Sequence, residues 1–69
     1  MDICALVGIN IRKLRHLHGW SQEELAFSAK MERSYLSQIE NGQRNMTLLM
    51  LVDIATALKV KPIDLLKAR

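Results

Sequence analysis

The chain has 69 residues, of which 49% are hydrophobic and 4% aromatic, and ten Lys and Arg against seven Asp and Glu give a formal net charge of +3. A chain of this length predicts a single domain, 1–69, without room for a fused ligand-sensing or catalytic domain, and its apolar fraction excludes a disordered protein. The one cysteine, Cys4, excludes a disulfide-rich secreted scaffold and a zinc site with four cysteine ligands, so we expect a reduced, buried or half-buried thiol. No apolar run approaches the roughly 18 residues of a membrane span. Because no signal peptide is visible either, we expect a cytoplasmic protein with no membrane partner.

Apolar residues recur at helical spacing from the start of the chain, and strand-like alternation is absent. The first segment places Val7, Ile11 and Leu14 on one face, and Gly19 fits the position that follows a helix C-terminus. A second helix is predicted to begin after Ser21, because the Ser21 hydroxyl and the Glu24 carboxylate can form a capping box.

The next three predicted helices are short and closely connected. A third helix, 33–41, follows the second, 21–29, after three residues and has Leu36 and Ile39 as its only large candidates for burial. Thr47 is expected to cap a fourth helix, and Pro62 fits the first turn of a short fifth helix. The sequence therefore predicts an all-α fold of five short helices.

The second and third helices, about 21–41, have the spacing of a helix-turn-helix, whose second helix can enter the major groove of DNA. A core helix would bury a wider apolar stripe than the third helix offers. Its remaining positions are mostly hydrogen-bonding side chains, which suit the reading of base edges.

These features resemble the Xre/Cro-type helix-turn-helix family of phage repressors and related bacterial regulators over roughly 7–66. The matching stretches are Ile11-Arg12-x-Leu14-Arg15, Gly19-Trp20-Ser21-Gln22-Glu23-Glu24-Leu25-Ala26, Tyr35-Leu36-Ser37-x-Ile39-Glu40-x-Gly42 and Ile54-Ala55-x-Ala57-Leu58-x-Val60-x-Pro62. Arg33-Ser34-Tyr35-Leu36 and Arg44-Asn45-Met46-Thr47-Leu48 look most like the small controller proteins of restriction-modification systems. The resemblance implies a compact five-helix, lambda-repressor-like DNA-binding domain that is not an enzyme.

Five residues on or beside the third helix are candidates for reading bases: Glu32, Arg33, Ser34, Ser37 and Gln38. The Arg33 guanidinium can pair with O6 and N7 of guanine, with a phosphate contact or simple solvation as the alternatives. Glu32 can accept from the cytosine amino group, or it can cap the helix and complement its dipole.

The resemblance also implies contacts with the DNA backbone by Gln22, Tyr35, Arg44, Asn45 and Thr47. An amide at a helix N-terminus suits a phosphate, and Arg44 supplies positive charge. The alternatives are a solvated Gln22, an ordinary exposed loop around Arg44, and a half-buried packing role for Tyr35.

Four further positions bear on the geometry of the motif. By resemblance, Arg15 and Glu40 form an internal ion pair that joins the first helix to the third, with a weak surface pair as the alternative. Lys30 and Lys59 stand where the family commonly has glycine, and a positive φ there would cost roughly 1 kcal/mol.

The fourth helix begins Leu48-Leu49-Met50-Leu51-Val52, which one helix face cannot bury against its own domain. The family commonly dimerises through its C-terminal region, so we expect a homodimer through about 48–69, with Ile63, Leu65 and Leu66 central. Such a dimer would place two recognition helices about one DNA turn apart on a pseudo-palindromic operator. RNA polymerase is a further candidate partner.

The sequence offers no signal for catalysis or for a cofactor. His16 and His18 point to different faces of a helix and lack a third ligand, so we expect no metal site. Cys4 has no evident base partner, and we expect no small-molecule ligand. The alternative function is an antitoxin or adaptor that uses the same fold to bind another protein through its apolar C-terminal helices.

Overall fold

The computed structural model describes residues 2–68, which form four α-helices and one 3₁₀ helix without any strand in that range. The helices are α1 (Ile3–Leu17), α2 (Gln22–Ser28), α3 (Arg33–Glu40), α4 (Leu48–Ala57) and the 3₁₀ helix (Pro62–Leu65). The all-α prediction is confirmed, but the fifth helix is a single 3₁₀ turn. Its backbone bonds join residues three apart, as from the Leu66 amide to the Ile63 carbonyl at 3.0 Å, and the segment is too short to build an α-helical ladder.

The predicted helix termini are present with the expected chemistry. The Glu24 amide donates to Ser21 Oγ at 3.1 Å, and the Ser21 amide donates to Glu24 Oε1 at 2.7 Å, which completes the capping box. The Met50 amide donates to Thr47 Oγ1 at 3.1 Å and so caps α4. Gly19 has a φ of 72° and follows the last residues of α1, as predicted.

The apolar core is built from one stripe of each α-helix together with the 3₁₀ helix. Within α3, Leu36 and Ile39 are the only buried apolar residues, as predicted. The largest fully buried side chains are Ile11, Leu25, Leu36, Ile39, Ile54, Leu58 and Leu65. This arrangement leaves the other side of α3 to solvent.

A close backbone approach holds α1 against the end of α3. A Cβ atom at Gly8 would lie 2.5 Å from the Ile39 carbonyl oxygen and 2.6 Å from that of Glu40. Only glycine fits there, so the missing side chain of Gly8 allows α1 to lie this close to the end of α3.

The apolar surplus in the C-terminal region lies on the surface. Leu48 and Leu49 are 80% and 77% exposed, which agrees with the prediction that α4 cannot bury its whole apolar start. Ile63 and Leu66 are also exposed. The prediction that Leu65 lies at the centre of the dimer interface is wrong. Its side chain is fully buried in the core of its own chain and offers no surface to a second copy.

Between residues 2 and 68, no helix is both long enough and apolar enough to cross a membrane. The same residues bring no three His, Cys, Asp or Glu side chains close enough together to hold a metal ion.

Candidate nucleic-acid interface

The turn between α2 and α3 depends on a left-handed residue. Lys30 has a φ of 60°, and the Met31 amide then donates to the Ala26 carbonyl at 2.9 Å. Leu25 and Leu36 are buried on either side of this turn. The turn therefore fixes the direction of α3 relative to α2.

The solvent-facing side of α3 gathers most of the predicted base-reading residues. Arg33, Ser34 and Gln38 are exposed, and Ser37 is half-buried beside them. This polar, hydrogen-bonding face is the one that the apolar anchors of α3 leave uncovered. It can present donors and acceptors to the edges of base pairs.

Glu32 occupies the N-cap position of α3, but its side chain makes no hydrogen bond to the free amides of the helix. The interpretation of Glu32 as a side-chain cap is therefore wrong. Its carboxylate stands one methylene farther from the backbone than that of Asp, the acid that commonly caps helices. Glu32 is exposed next to Arg33 and stays a predicted reader of bases.

A buried ion pair joins α1 to the end of α3. Arg15 Nε lies 2.7 Å from Glu40 Oε2, and a second guanidinium nitrogen lies 3.0 Å from Oε1. The Glu40 side chain has no exposed surface, and Arg15 also donates to the Trp20 carbonyl at 2.8 Å. The geometry is that of the structural pair and not of the surface alternative.

Two further side chains reach the same carboxylate. Gln22 Nε2 donates to Glu40 Oε1 at 3.1 Å, and the partly exposed Arg12 approaches that oxygen at 3.5 Å. Arg12 also donates to Asn41 Oδ1 at 2.7 Å. Sequence reasoning missed the Gln22 contact, because the partners are 18 residues apart and no motif links them.

The pKa of Glu40 reflects opposing effects. Burial alone would raise this pKa, but hydrogen bonds from Arg15 and Gln22, together with the positive charge of Arg15, bring it below its ordinary value. Glu40 is therefore ionised at neutral pH. The network stays charged and connects the start of α2 with the end of α3.

The loop after α3 is attached to the rest of the molecule by side chains. The Tyr35 hydroxyl donates to the Asn45 carbonyl at 3.2 Å, and the half-buried Cys4 thiol donates to Asn45 Oδ1 at 3.1 Å. The guanidinium of Arg44 lies 4.7 Å from the centre of the Tyr35 ring. Arg44 and Asn45 are thus exposed but held in place beside α3.

Thr47 is exposed where this loop enters α4, and its hydroxyl oxygen is already used as the helix cap. The hydroxyl proton can still be donated to a phosphate. Polar groups at the start of α2 and in the loop after α3 therefore both lie beside α3, because Gln22 contacts Glu40 and Arg44 contacts Gln38. Such groups suit contacts with the DNA backbone next to a helix that lies in a groove.

Comparison with known proteins agrees with a helix-turn-helix fold. The family model HTH_3, described as helix-turn-helix, matches residues 11–65. Control protein C.BamHI from Bacillus amyloliquefaciens is 42% identical over 66 residues, which cover 94% of this chain and 82% of that protein. An HTH-type transcriptional regulator, y4dJ, from Sinorhizobium fredii is 40% identical over 65 residues, covering 94% and 84% of the two chains.

Among solved structures, the restriction-modification controller protein C.AhdI from Aeromonas hydrophila matches with a TM-score of 0.88 and 42% sequence identity, covering 90% of this chain and 94% of that one. The residues that the family model matches, 11–65, include all of α2 and α3. The chain therefore belongs to the helix-turn-helix family of DNA-binding proteins, which are not enzymes, and restriction-modification controller proteins are among its relatives.

Proposed function

We propose that this protein is a sequence-specific transcriptional regulator that acts in the cytoplasm as a homodimer on a pseudo-palindromic operator. In this proposal the protein is a restriction-modification controller or a small phage-type repressor. The observation that carries the proposal is the exposed polar face of α3 on a helix whose two apolar anchors are buried. The Arg15–Glu40 pair gives this helix a fixed orientation.

In this proposal α3 enters the major groove, and the predicted readers meet base edges. Arg33 pairs with guanine, while Glu32, Ser34, Ser37 and Gln38 contact neighbouring base pairs. Gln22 and Tyr35 contact phosphates together with Arg44, Asn45 and Thr47. Gln22 keeps one amide proton for a phosphate while it donates the other to Glu40.

The exposed apolar residues of the C-terminal region support the dimer. Leu48 and Leu66 line one groove together with Ile3, and all three are more than 40% exposed. A second copy would remove this apolar surface from water, which also stabilises a small core. Two-fold symmetry would then place the two α3 helices about 34 Å apart, one turn of DNA.

Regulation would follow from the position of the operator. An operator that overlaps a promoter would block RNA polymerase, whereas one just upstream would allow a contact with the polymerase. The concentration of the protein itself would control occupancy through the monomer–dimer and dimer–DNA equilibria.

The test is selection of bound sequences from a randomised DNA duplex library by the full chain. Arg33→Ala should cost about 1–3 kcal/mol on the selected site and relax one base position. Lys13→Ala removes the same charge from an exposed position on α1 and should keep the sequence preference. Equal losses on selected and random DNA for Arg33→Ala would contradict the assignment of Arg33 as a reader of bases, and a wild type that selects no sequence would contradict the proposed function.

The same selection distinguishes the adaptor alternative. The apolar groove that would hold a second copy could hold another protein instead. If the chain selects no sequence and purifies with a different protein seated on that groove, the antitoxin or adaptor function is favoured.

A further inference from the structure

Arg44 is joined to the base-reading face by a short hydrogen bond. Its Nε donates to Gln38 Oε1 at 2.7 Å, and its guanidinium packs on the ring of Tyr35 at 4.7 Å. The Tyr35 hydroxyl in turn donates to the Asn45 carbonyl at 3.2 Å. The Arg44 side chain is therefore held between one turn of α3 and the loop that follows it.

This contact fixes the orientation of the Gln38 amide. An arginine Nε–H can only donate, so it is the oxygen of the amide, and not its nitrogen, that faces Arg44. The Gln38 NH₂ group, with its two protons, is the group that remains for another partner. Gln38 is exposed on the face of α3 that carries Arg33 and Ser34.

The orientation restricts which base Gln38 can recognise. Bidentate reading of adenine needs the amide oxygen and the amide nitrogen side by side, one accepting from N6 and the other donating to N7. An amide whose oxygen is directed at Arg44 has one lone pair of that oxygen occupied, so its NH₂ donors are the main groups that it presents to the DNA. Donors suit O6 and N7 of guanine or O4 of thymine, whereas adenine accepts them only at N7 and places its N6 amino group, itself a donor, beside them.

We propose that Arg44 is a positioning residue for sequence recognition: by holding the oxygen of Gln38, it makes Gln38 select guanine or thymine and disfavour adenine. The inference rests on the proposed DNA-reading function. It adds to the role of Arg44 at the DNA backbone, because the terminal nitrogens of the guanidinium can contact a phosphate while Nε holds Gln38.

The experiment compares four proteins on a randomised duplex library: the wild type, Gln38→Ala, Arg44→Ala and the double variant. The base pair at which Gln38→Ala loses its preference identifies the pair that Gln38 reads. Affinities for the four bases at that pair are then measured for each protein and expressed relative to one another, so that the uniform loss from the missing charge cancels.

We expect the wild type to prefer guanine or thymine at this pair. Arg44→Ala should release the amide and shift the preference toward adenine by about fivefold or more, which is within the range for one bidentate contact. In the Gln38→Ala background, removal of Arg44 should weaken all four sequences alike.

Several results would overturn the inference. These are a wild-type preference for adenine at this pair, an unchanged relative preference in Arg44→Ala, and a Gln38→Ala profile that equals the wild type at every pair. Each of them leaves the DNA-binding function intact. Failure of the wild type to select any sequence would instead refute the proposed function, and this inference with it.

Discussion

At the scale of single residues, Glu40 connects the recognition motif to the rest of the fold. It is a buried carboxylate that accepts hydrogen bonds from Arg15 and Gln22, and Arg12 contacts it from the surface. Two guanidinium nitrogens of Arg15 bind it in a nearly ideal fork. Loss of Arg15 therefore leaves the buried charge with only the Gln22 amide and the longer Arg12 contact, which costs far more than the loss of a surface pair.

Arg15→Ala is expected to lower the free energy of unfolding by about 3–5 kcal/mol, because it leaves the Glu40 carboxylate buried without its main partner. Arg12→Ala is the matched control, since its side chain is 44% exposed and its contact with Glu40 is 3.5 Å long. We expect the control to cost less than about 1 kcal/mol. Urea unfolding of both variants measures the difference, and equal effects would show that the two pairs contribute alike.

Glu40 also predicts a dependence of stability on pH. Its folded-state pKa lies below the ordinary value of 4.5. The ion pair therefore contributes fully above the unfolded-state pKa, and its contribution is lost as the pH falls through the folded-state pKa. The stability advantage of the wild type over Glu40→Gln should thus be constant near neutral pH and shrink in acid.

Thermal unfolding of the two proteins between about pH 3 and pH 7 measures this advantage. Asp64, whose pKa is lowered by hydrogen bonds from Lys67 and the Lys61 amide, is present in both proteins and cancels in the comparison. An advantage that grows as the pH falls would contradict the sign of the Glu40 shift.

At the scale of elements, the helix connections carry strain that side-chain packing must offset. Lys30, after α2, and Lys59, after α4, both have a φ of 60°. This left-handed conformation disfavours residues other than glycine. The family commonly has glycine at both positions, and the two lysines adopt the positive φ whose cost was considered from the sequence. The turns are thus determined by the elements that they join and not by the local preference of lysine.

Lys59→Gly is expected to raise the free energy of unfolding by about 0.5–1 kcal/mol, since relief of the left-handed strain exceeds the added entropy of the unfolded chain. Lys13→Gly is the control, because Lys13 is an exposed lysine in the middle of α1. It should lower the stability by roughly 1 kcal/mol. Chemical unfolding of both variants gives the two values, and a destabilised Lys59→Gly would show that the left-handed strain is smaller than the added entropy of the unfolded chain.

At the scale of the whole molecule, the distribution of apolar surface favours association. The core uses Leu51, Ile54 and Leu65, while Leu48 and Ile63 remain 80% and 60% exposed. Other exposed apolar residues, such as Phe27 on α2, lie outside the C-terminal region. They provide a comparison for any test of the dimer.

Ile63→Glu is expected to raise the dissociation constant of the dimer by at least about tenfold, because it places a charge on an exposed residue that the sequence predicts to be central in the interface. Phe27→Glu makes the same chemical change at a side chain that is 85% exposed and should leave association unchanged. Sedimentation equilibrium measures both. A monomeric wild type at high micromolar concentration would count against the dimer.

The sequence by itself determined the features that depend on near neighbours in the chain. The capping box at Ser21, the cap at Thr47 and the left-handed Gly19 follow from residues within one helical turn of each other. Helical periodicity was also enough to identify Leu36 and Ile39 as the anchors of α3. The Arg15–Glu40 pair came from resemblance and not from spacing.

Only the tertiary structure decided the contacts between distant segments. The bond between Gln22 and Glu40 and that between Cys4 and Asn45 join residues 18 and 41 positions apart, and no local pattern specifies them. The burial of Leu65 could not be predicted from the sequence either. A four-residue helix is too short for hydrophobic periodicity to show which of its sides faces the core. Packing against α1 and α4 decided that Leu65 is buried and Ile63 exposed.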